Sequence, residues 1–256
     1  MCPYQTLLRG TVVKAAALLL LSALPVAAQD LSQQEEAFVE ANILSVFYHE
    51  LGHALIDVED VPIFGQEEDA ADVFAVVLTE AVFEPEVALD LAYDYALGFD
   101  AEARARAERG EDHPWWDVHG PDEQRFYNTV CLFYGADPQG RSDYAEDMGL
   151  PEERADYCPG EYEQAEVAWG EVLDAMLDRG GGDSLRLSGA EVGRIGAVLA
   201  EEVAALNAEL QLAENVDVRV APCDEANAFY DPSDRSITFC TEYEAELIEA
   251  AQGIVN

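Results

Sequence analysis

The feature that most constrains this 256-residue chain is a pair of histidines one helical turn apart, in the sequence His49-Glu50-Leu51-Gly52-His53. The surrounding segment, Gln33 to Asp57, has apolar residues at helical spacing and contains no proline, so we expect one long helix. On that helix both imidazoles lie on one face and can reach a single metal ion. Glu50 could then take a proton from a water bound there. The alternative is a helix that carries two histidines as ordinary core residues.

A second predicted helix, Glu67 to Phe83, supplies the acids that such a metal needs. A catalytic zinc takes three protein ligands and keeps one position open for water. Glu68 can complete the ligand set after His53, and Glu67 is an alternative ligand. Asp72 lies one turn further along the same face as Glu68, so it can accept the ring N–H of a zinc-bound histidine.

The N-terminus has the pattern of a signal peptide. Arg9 and Lys14 flank the start of a short apolar run, Ala15 to Leu24, and small residues end at Ala28. We expect cleavage after Ala28, which leaves residues 29–256 as one domain that is periplasmic or extracellular. An uncleaved anchor is the alternative, although the apolar run is well short of the roughly 20 residues of a membrane span.

The charge is strongly acidic, with 53 Asp and Glu against 13 Lys and Arg, for a formal net charge of -40. Nucleic-acid binding through a basic face is excluded, and an anionic membrane surface would repel the chain. The sequence has no second long apolar run, so we expect no stable membrane insertion after cleavage. The acidic surface either keeps the protein soluble or attracts cationic substrates.

Four cysteines remain beyond the signal peptide: Cys131, Cys158, Cys223 and Cys240. An even number in an exported chain predicts two disulfides, with three possible connectivities. Pairing Cys131 with Cys158 and Cys223 with Cys240 is favoured because each bond closes a short loop. A four-cysteine zinc site is disfavoured because the chain has no C-x-x-C pair.

The rest of the chain predicts an α+β fold that is mainly α. Further helices are expected at about 85–97, 122–134, 161–177 and 189–212, with Asp100 to Asp112 as a solvated helix or connector, a turn-rich loop at 113–121 and a flexible joint at residues 180–182. Three short strands follow, at 216–221, 228–230 and 236–239, before a last helix at 242–252.

The motif H-E-L-G-H followed by E-x-x-x-D resembles the gluzincin zinc metallopeptidases, in which two helices supply two histidines and one glutamate. A closer resemblance, over most of the chain after residue 28, is to an uncharacterised exported bacterial family described only as metallopeptidases. The segments of this chain that carry the resemblance are residues 47–55, 62–72, 119–127, 131–135 and 227–240. The resemblance implies zincin-like active-site helices and one Zn²⁺ per chain, held by His49, His53 and Glu68.

The segment Asn227-Ala228-Phe229, with Pro232 and Ile237, is similar to a pattern in membrane-linked gluzincins. In those proteins the pattern precedes the zinc helix and supplies the edge strand on which an extended substrate lies. Here it follows that helix, so we hypothesise a circularly permuted order. Asn227, Phe229 and Ile237 would then mark a substrate-binding strand close to His49. The alternative is an ordinary stabilising hairpin.

Stabilising the oxyanion of the reaction needs a further donor. The candidates are His119, Arg125, Tyr127 and Tyr134, all near one loop-to-helix junction. We favour His119 as a catalytic residue oriented by Arg125. The competing interpretation makes Arg125 half of a structural salt bridge.

Together these patterns predict a zinc-dependent metallopeptidase that acts on a peptide or protein substrate, with Glu50 as general base. One alternative is a non-catalytic zinc-binding or peptide-binding protein of the cell envelope. Another is a zinc amidohydrolase that acts on a non-protein amide. The intact Glu50 favours an enzyme, because metal binding alone does not require it.

Overall fold

The computed structural model describes residues 31–255, so the predicted signal peptide, residues 1–28, lies outside the described residues and stays a prediction. The described chain is mainly helical with one small sheet, which confirms the α+β prediction. Its elements in chain order are α1 Gln33–Val58, α2 Glu67–Val82, α3 Pro85–Arg109, α4 Asp122–Ala136, α5 Ser142–Asp147, α6 Glu152–Ala155, α7 Cys158–Asp178, β1 Leu185–Ser188, α8 Gly193–Glu209, β2 Val216–Ala221, β3 Ala228–Asp231, β4 Ser236–Cys240 and α9 Tyr243–Val255.

Helix α1 is the central element of the fold. It begins with a capping box, in which the Ser32 side chain accepts from the Glu35 backbone N–H and the Glu35 carboxylate accepts from the Ser32 backbone N–H. Along its length α1 packs against α2, α3, α8, α9 and the hairpin β3–β4. Phe47 and Leu51 enter one apolar core, whereas Ala41 enters a second core with α3 and α4. Burial on several sides fixes the orientation of the histidine face of α1.

The sheet has the strand order β1-β2-β4-β3. Strands β1, β2 and β4 are parallel, and β3 is antiparallel to β4, so β3 is an edge strand. Strand β1 directly follows the glycine-rich segment 180–182 and was not predicted. Its sequence, Leu185-Arg186-Leu187-Ser188, is too short and too mixed to stand out from its surroundings.

Helix α3 is longer than the sequence indicated, because residues 100–109 continue it as helix. An ion pair between Asp100 and Arg104, one turn apart, lies on its exposed face. The helix ends at Gly110, whose φ of 67° is the left-handed conformation that glycine adopts without strain. The continuation brings the chain to the loop that carries His119.

Two disulfides are present, Cys131–Cys158 and Cys223–Cys240, with the pairing that the short loops favoured. The first joins α4 to the start of α7, and the second joins the segment after β2 to the end of β4. Among the helices of residues 31–255, none is long and apolar enough to cross a membrane.

Candidate metal centre

The candidate centre lies where α1 crosses α2, and the crossing depends on small residues. A Cβ atom added at Gly52 would lie 2.9 Å from the backbone Cα of Ala71 and 3.3 Å from the Phe74 ring. Glycine at position 52 therefore lets the two backbones approach closely. The close approach places the first turns of α2 against the histidine face of α1.

Gly52→Ala is accordingly expected to destabilise the protein by about 1–3 kcal/mol, because α2 must move away from the added methyl group. Gly170→Ala on α7 is the matched control, since a Cβ there meets no atom within 4 Å. That control should stabilise the protein by up to about 1 kcal/mol through helix propensity. Urea unfolding of both variants measures the difference. Equal stabilisation by both substitutions would contradict the close approach.

Three ring nitrogens and one carboxylate oxygen converge at the crossing. The Nε2 atoms of His49 and His53 lie 3.2 Å apart, and each lies 3.1 Å from Oε2 of Glu68. Nε2 of His119, from the loop after α3, lies 2.9 Å from the same oxygen. The ligand atoms of His49, Glu68 and His119 are all within 4.8 Å of one another, a grouping that could hold a metal ion.

The opposite ring nitrogens of the two α1 histidines contact carboxylates of α2. Nδ1 of His49 lies 2.7 Å from Asp72, and Nδ1 of His53 lies 2.8 Å from Glu67. A carboxylate on Nδ1 fixes the ring and directs the Nε2 lone pair toward the shared centre. Asp72 in turn accepts two hydrogen bonds of 2.7 Å from the guanidinium of Arg125 on α4.

The electrostatics of the centre favour a bound cation. Burial acts to raise the pKa of Glu68, but its hydrogen bonds with His119, His49 and His53 hold that pKa well below its usual range. Burial also acts to raise the pKa of Asp72, and Arg125 and His49 outweigh it in the same way. Burial alone would lower the pKa of His49, yet hydrogen bonds to Asp72 and Glu68 raise it to about 9. His49 must therefore release a proton when it binds a metal, and the Glu68 carboxylate with deprotonated ring nitrogens around one point is a donor set that fits zinc.

Glu50 is buried next to the centre, with an exposed fraction of 6 %. Burial raises the pKa of its carboxyl group, although His49 and His53 act in the opposite direction. The backbone N–H of Tyr230 in β3 also interacts with this carboxylate. Glu50 therefore lies between the histidine pair and the edge of the sheet.

Backbone groups at the outer edge of β3 are directed away from β4. Because Cys240 N–H donates to the carbonyl of Asn227, the antiparallel register directs the backbone groups of Ala228 and Tyr230 away from β4. A cavity of about 820 Å³ is lined by His49, Glu50 and Ala228, among others. Its volume is within the range of roughly 300–1,000 Å³ that is typical of ligand pockets.

The residues predicted to mark a substrate-binding strand do not lie together along the edge of the sheet. Asn227 comes directly before β3, and the backbone groups of Phe229 are directed toward β4. Ile237 lies in the inner strand β4 and is fully buried, so it is not part of the edge strand. The backbone groups directed away from β4 belong instead to Ala228 and to Tyr230, whose N–H interacts with Glu50.

The four candidates for oxyanion stabilisation lie in different surroundings. His119 is at the centre, whereas the hydrogen bonds of Arg125 go to Asp72, the salt bridge that was the competing interpretation. Tyr127 is 40 % exposed and packs against Phe126, and Tyr134 packs against the second apolar core.

Two contacts at the centre are not predicted by the sequence. Glu67 contacts Nδ1 of His53, whereas the sequence suggests it only as an alternative metal ligand. Asp117 contacts both the backbone N–H and Nδ1 of His119. Asp-x-His spacing was a local signal for the second contact, but spacing gave none for the first, which depends on how α2 is rotated about its axis.

One comparison with known proteins gives a match. The family DUF4344, described as "Putative metallopeptidase", matches residues 21–173 and 191–253. No curated protein and no solved structure matches the chain. The matched residues include α1, α2, the His119 loop and the edge strand.

Proposed function

Because this chain belongs to the DUF4344 metallopeptidase family, we propose that it is a zinc-dependent peptidase in which Glu50 is the general base. The convergence of His49, His53 and Glu68 on one point, with Glu50 buried beside it, carries the proposal. These three side chains would hold one zinc ion per chain and leave one coordination position open. Bound zinc supplies activation of water and polarisation of the substrate carbonyl.

The remaining chemistry belongs to side chains of the protein. Glu50 takes the proton of the attacking water and passes it to the leaving amine, a transfer favoured by its buried position. His119 donates a hydrogen bond to the oxygen of the carbonyl as that oxygen becomes negatively charged. Asp117 orients His119 for this role through its contact with Nδ1.

The substrate is proposed to be a peptide that lies along β3. Main-chain groups of an extended peptide can pair with the free N–H and C=O of Ala228, which lines the cavity with Glu50. This placement supports the circularly permuted order, since the strand follows the zinc helix in the sequence and lies beside it in the fold.

Export to a periplasm or the extracellular space is part of the proposal. The two disulfides are typical of proteins that fold in an oxidising compartment. The pattern of residues 1–28 is the second reason, and cleavage after Ala28 would be seen directly as the N-terminus of the secreted protein.

The test is metal analysis combined with cleavage of an unbiased peptide library. We expect one zinc per chain, loss of cleavage after removal of the metal with a chelator, and recovery when Zn²⁺ is added back. Zinc without cleavage would favour the binding protein, or the amidohydrolase if a non-peptide amide is hydrolysed. Absence of zinc after careful remetallation would contradict the proposal.

A further inference from the structure

Three histidines approach Glu68 in the same way, although only two of them belong to the zinc-binding motif. The distances from Oε2 of Glu68 to the Nε2 atoms are 3.1 Å for His49, 3.1 Å for His53 and 2.9 Å for His119. His119 is therefore as close to the Glu68 carboxylate as the two histidines of α1, and its ligand atom lies within 4.8 Å of those of His49 and Glu68. The rings of His49 and His119 are also stacked, with centroids 6.2 Å apart.

The three histidines are also alike at Nδ1, the second nitrogen of each ring. His49 and His53 have a carboxylate on Nδ1, and His119 has one as well, from Asp117 at 3.3 Å. Asp117 also accepts a hydrogen bond of 3.0 Å from the backbone N–H of His119. Its carboxylate therefore holds both the backbone and the ring of His119. A carboxylate on one ring nitrogen, with the other nitrogen directed at the centre, is the arrangement of metal-ligating histidines.

We propose that His119 is a fourth protein ligand of the metal in the substrate-free protein, an inference that rests on the proposed function. With His49, His53, Glu68 and His119 all bound, zinc would have four protein ligands, the number typical of a site that keeps no position open for water. Such a site has no open position, so peptide hydrolysis requires His119 to leave the metal. Once released, His119 would take up a proton from solvent on Nε2, because its Nδ1–H is directed at Asp117, and the protonated ring could then donate to the substrate carbonyl.

The position of His119 in the fold fits an exchangeable ligand. It lies in the loop between α3 and α4, and its side chain is 44 % exposed, compared with 9 % for His49 and 11 % for His53. A histidine on an exposed loop can leave the metal more easily than the two histidines on the buried helix α1. The closed site is thus a latent state from which substrate binding releases one histidine.

The inference is tested by zinc affinity and by the coordination of the metal, neither of which requires activity. Zinc affinity is measured by competition with a chelator, and X-ray absorption of the zinc form counts the imidazole ligands. His119→Ala should weaken zinc binding at least about tenfold and reduce the imidazole count from three to two. The Co²⁺-substituted protein should change its visible spectrum at the same time.

Three further variants make the result decisive. His53→Ala should abolish stoichiometric zinc binding, whereas His113→Ala, in the same loop but outside the centre, should leave affinity and spectrum unchanged. Asp117→Asn should weaken zinc binding less than His119→Ala, and a side chain that is 34 % exposed should accept this isosteric change without loss of the fold.

Different outcomes separate this inference from the proposed function. Wild-type zinc affinity and an unchanged imidazole count in His119→Ala, together with loss of zinc in His53→Ala, would overturn only the fourth ligand. Unchanged zinc binding in both variants would overturn the metal centre itself.

Discussion

Glu50→Gln is expected to lower kcat/KM for peptide cleavage by at least about a hundredfold while zinc stays bound stoichiometrically. Glutamine has the shape of glutamate but cannot accept a proton from water or pass one to the leaving amine. Its side-chain oxygen can still accept from the Tyr230 N–H that interacts with Glu50. The substitution therefore removes the proton transfer with little change in packing. Steady-state kinetics and metal analysis on the same preparation measure both quantities.

The control for this experiment is Glu246→Gln, which removes a carboxylate from another side chain that lines the cavity. If Glu50 acts as the base, the control should keep cleavage within a small factor of the parent protein. Equal losses in the two variants would assign the effect to the charge of the cavity. A loss of zinc in Glu50→Gln would assign a structural role to Glu50.

The metal-centre helices could be predicted because their signals are local. The spacing of His49 and His53 fixes a shared helix face, and Glu68 and Asp72 repeat that spacing at the start of α2. The three predicted strands were also found, because alternating apolar residues and a turn at residues 231–234 delimit them. The family match supports the resemblance on which the peptidase hypothesis depended.

The features that were not predicted depend on long-range packing. Strand β1 forms because β2 offers it a partner, and nothing in its own four residues requires a strand. Ile237 was placed in an edge strand, but β2 and β3 enclose β4 from both sides. The two roles of His119 could not be separated by spacing, because its distance to Glu68 depends on how far α3 extends before the loop begins.

Arg125→Met is expected to destabilise the metal-free protein by about 3–5 kcal/mol, because it leaves the carboxylate of Asp72 without its cationic partner. The side chains of Arg125 and Asp72 are only 14 % and 16 % exposed, and two hydrogen bonds of 2.7 Å join them. Methionine keeps an apolar stem near the Phe99 ring, over which the guanidinium lies at 4.3 Å. Urea unfolding measures the change. Arg104→Met, which removes a pair with Asp100 from an exposed helix face, should cost less than about 1 kcal/mol.

The same variant tests whether the ion pair supports the metal centre. Asp72 contacts Nδ1 of His49, so a displaced Asp72 should weaken zinc binding by about ten- to a hundredfold. Adding Asp72→Asn to Arg125→Met removes the stranded charge. If that charge is the cause of the instability, the double variant should regain stability relative to Arg125→Met but not zinc affinity. Recovery of both would mean that Asp72 does not orient His49, and recovery of neither would mean that lost packing of Arg125 dominates.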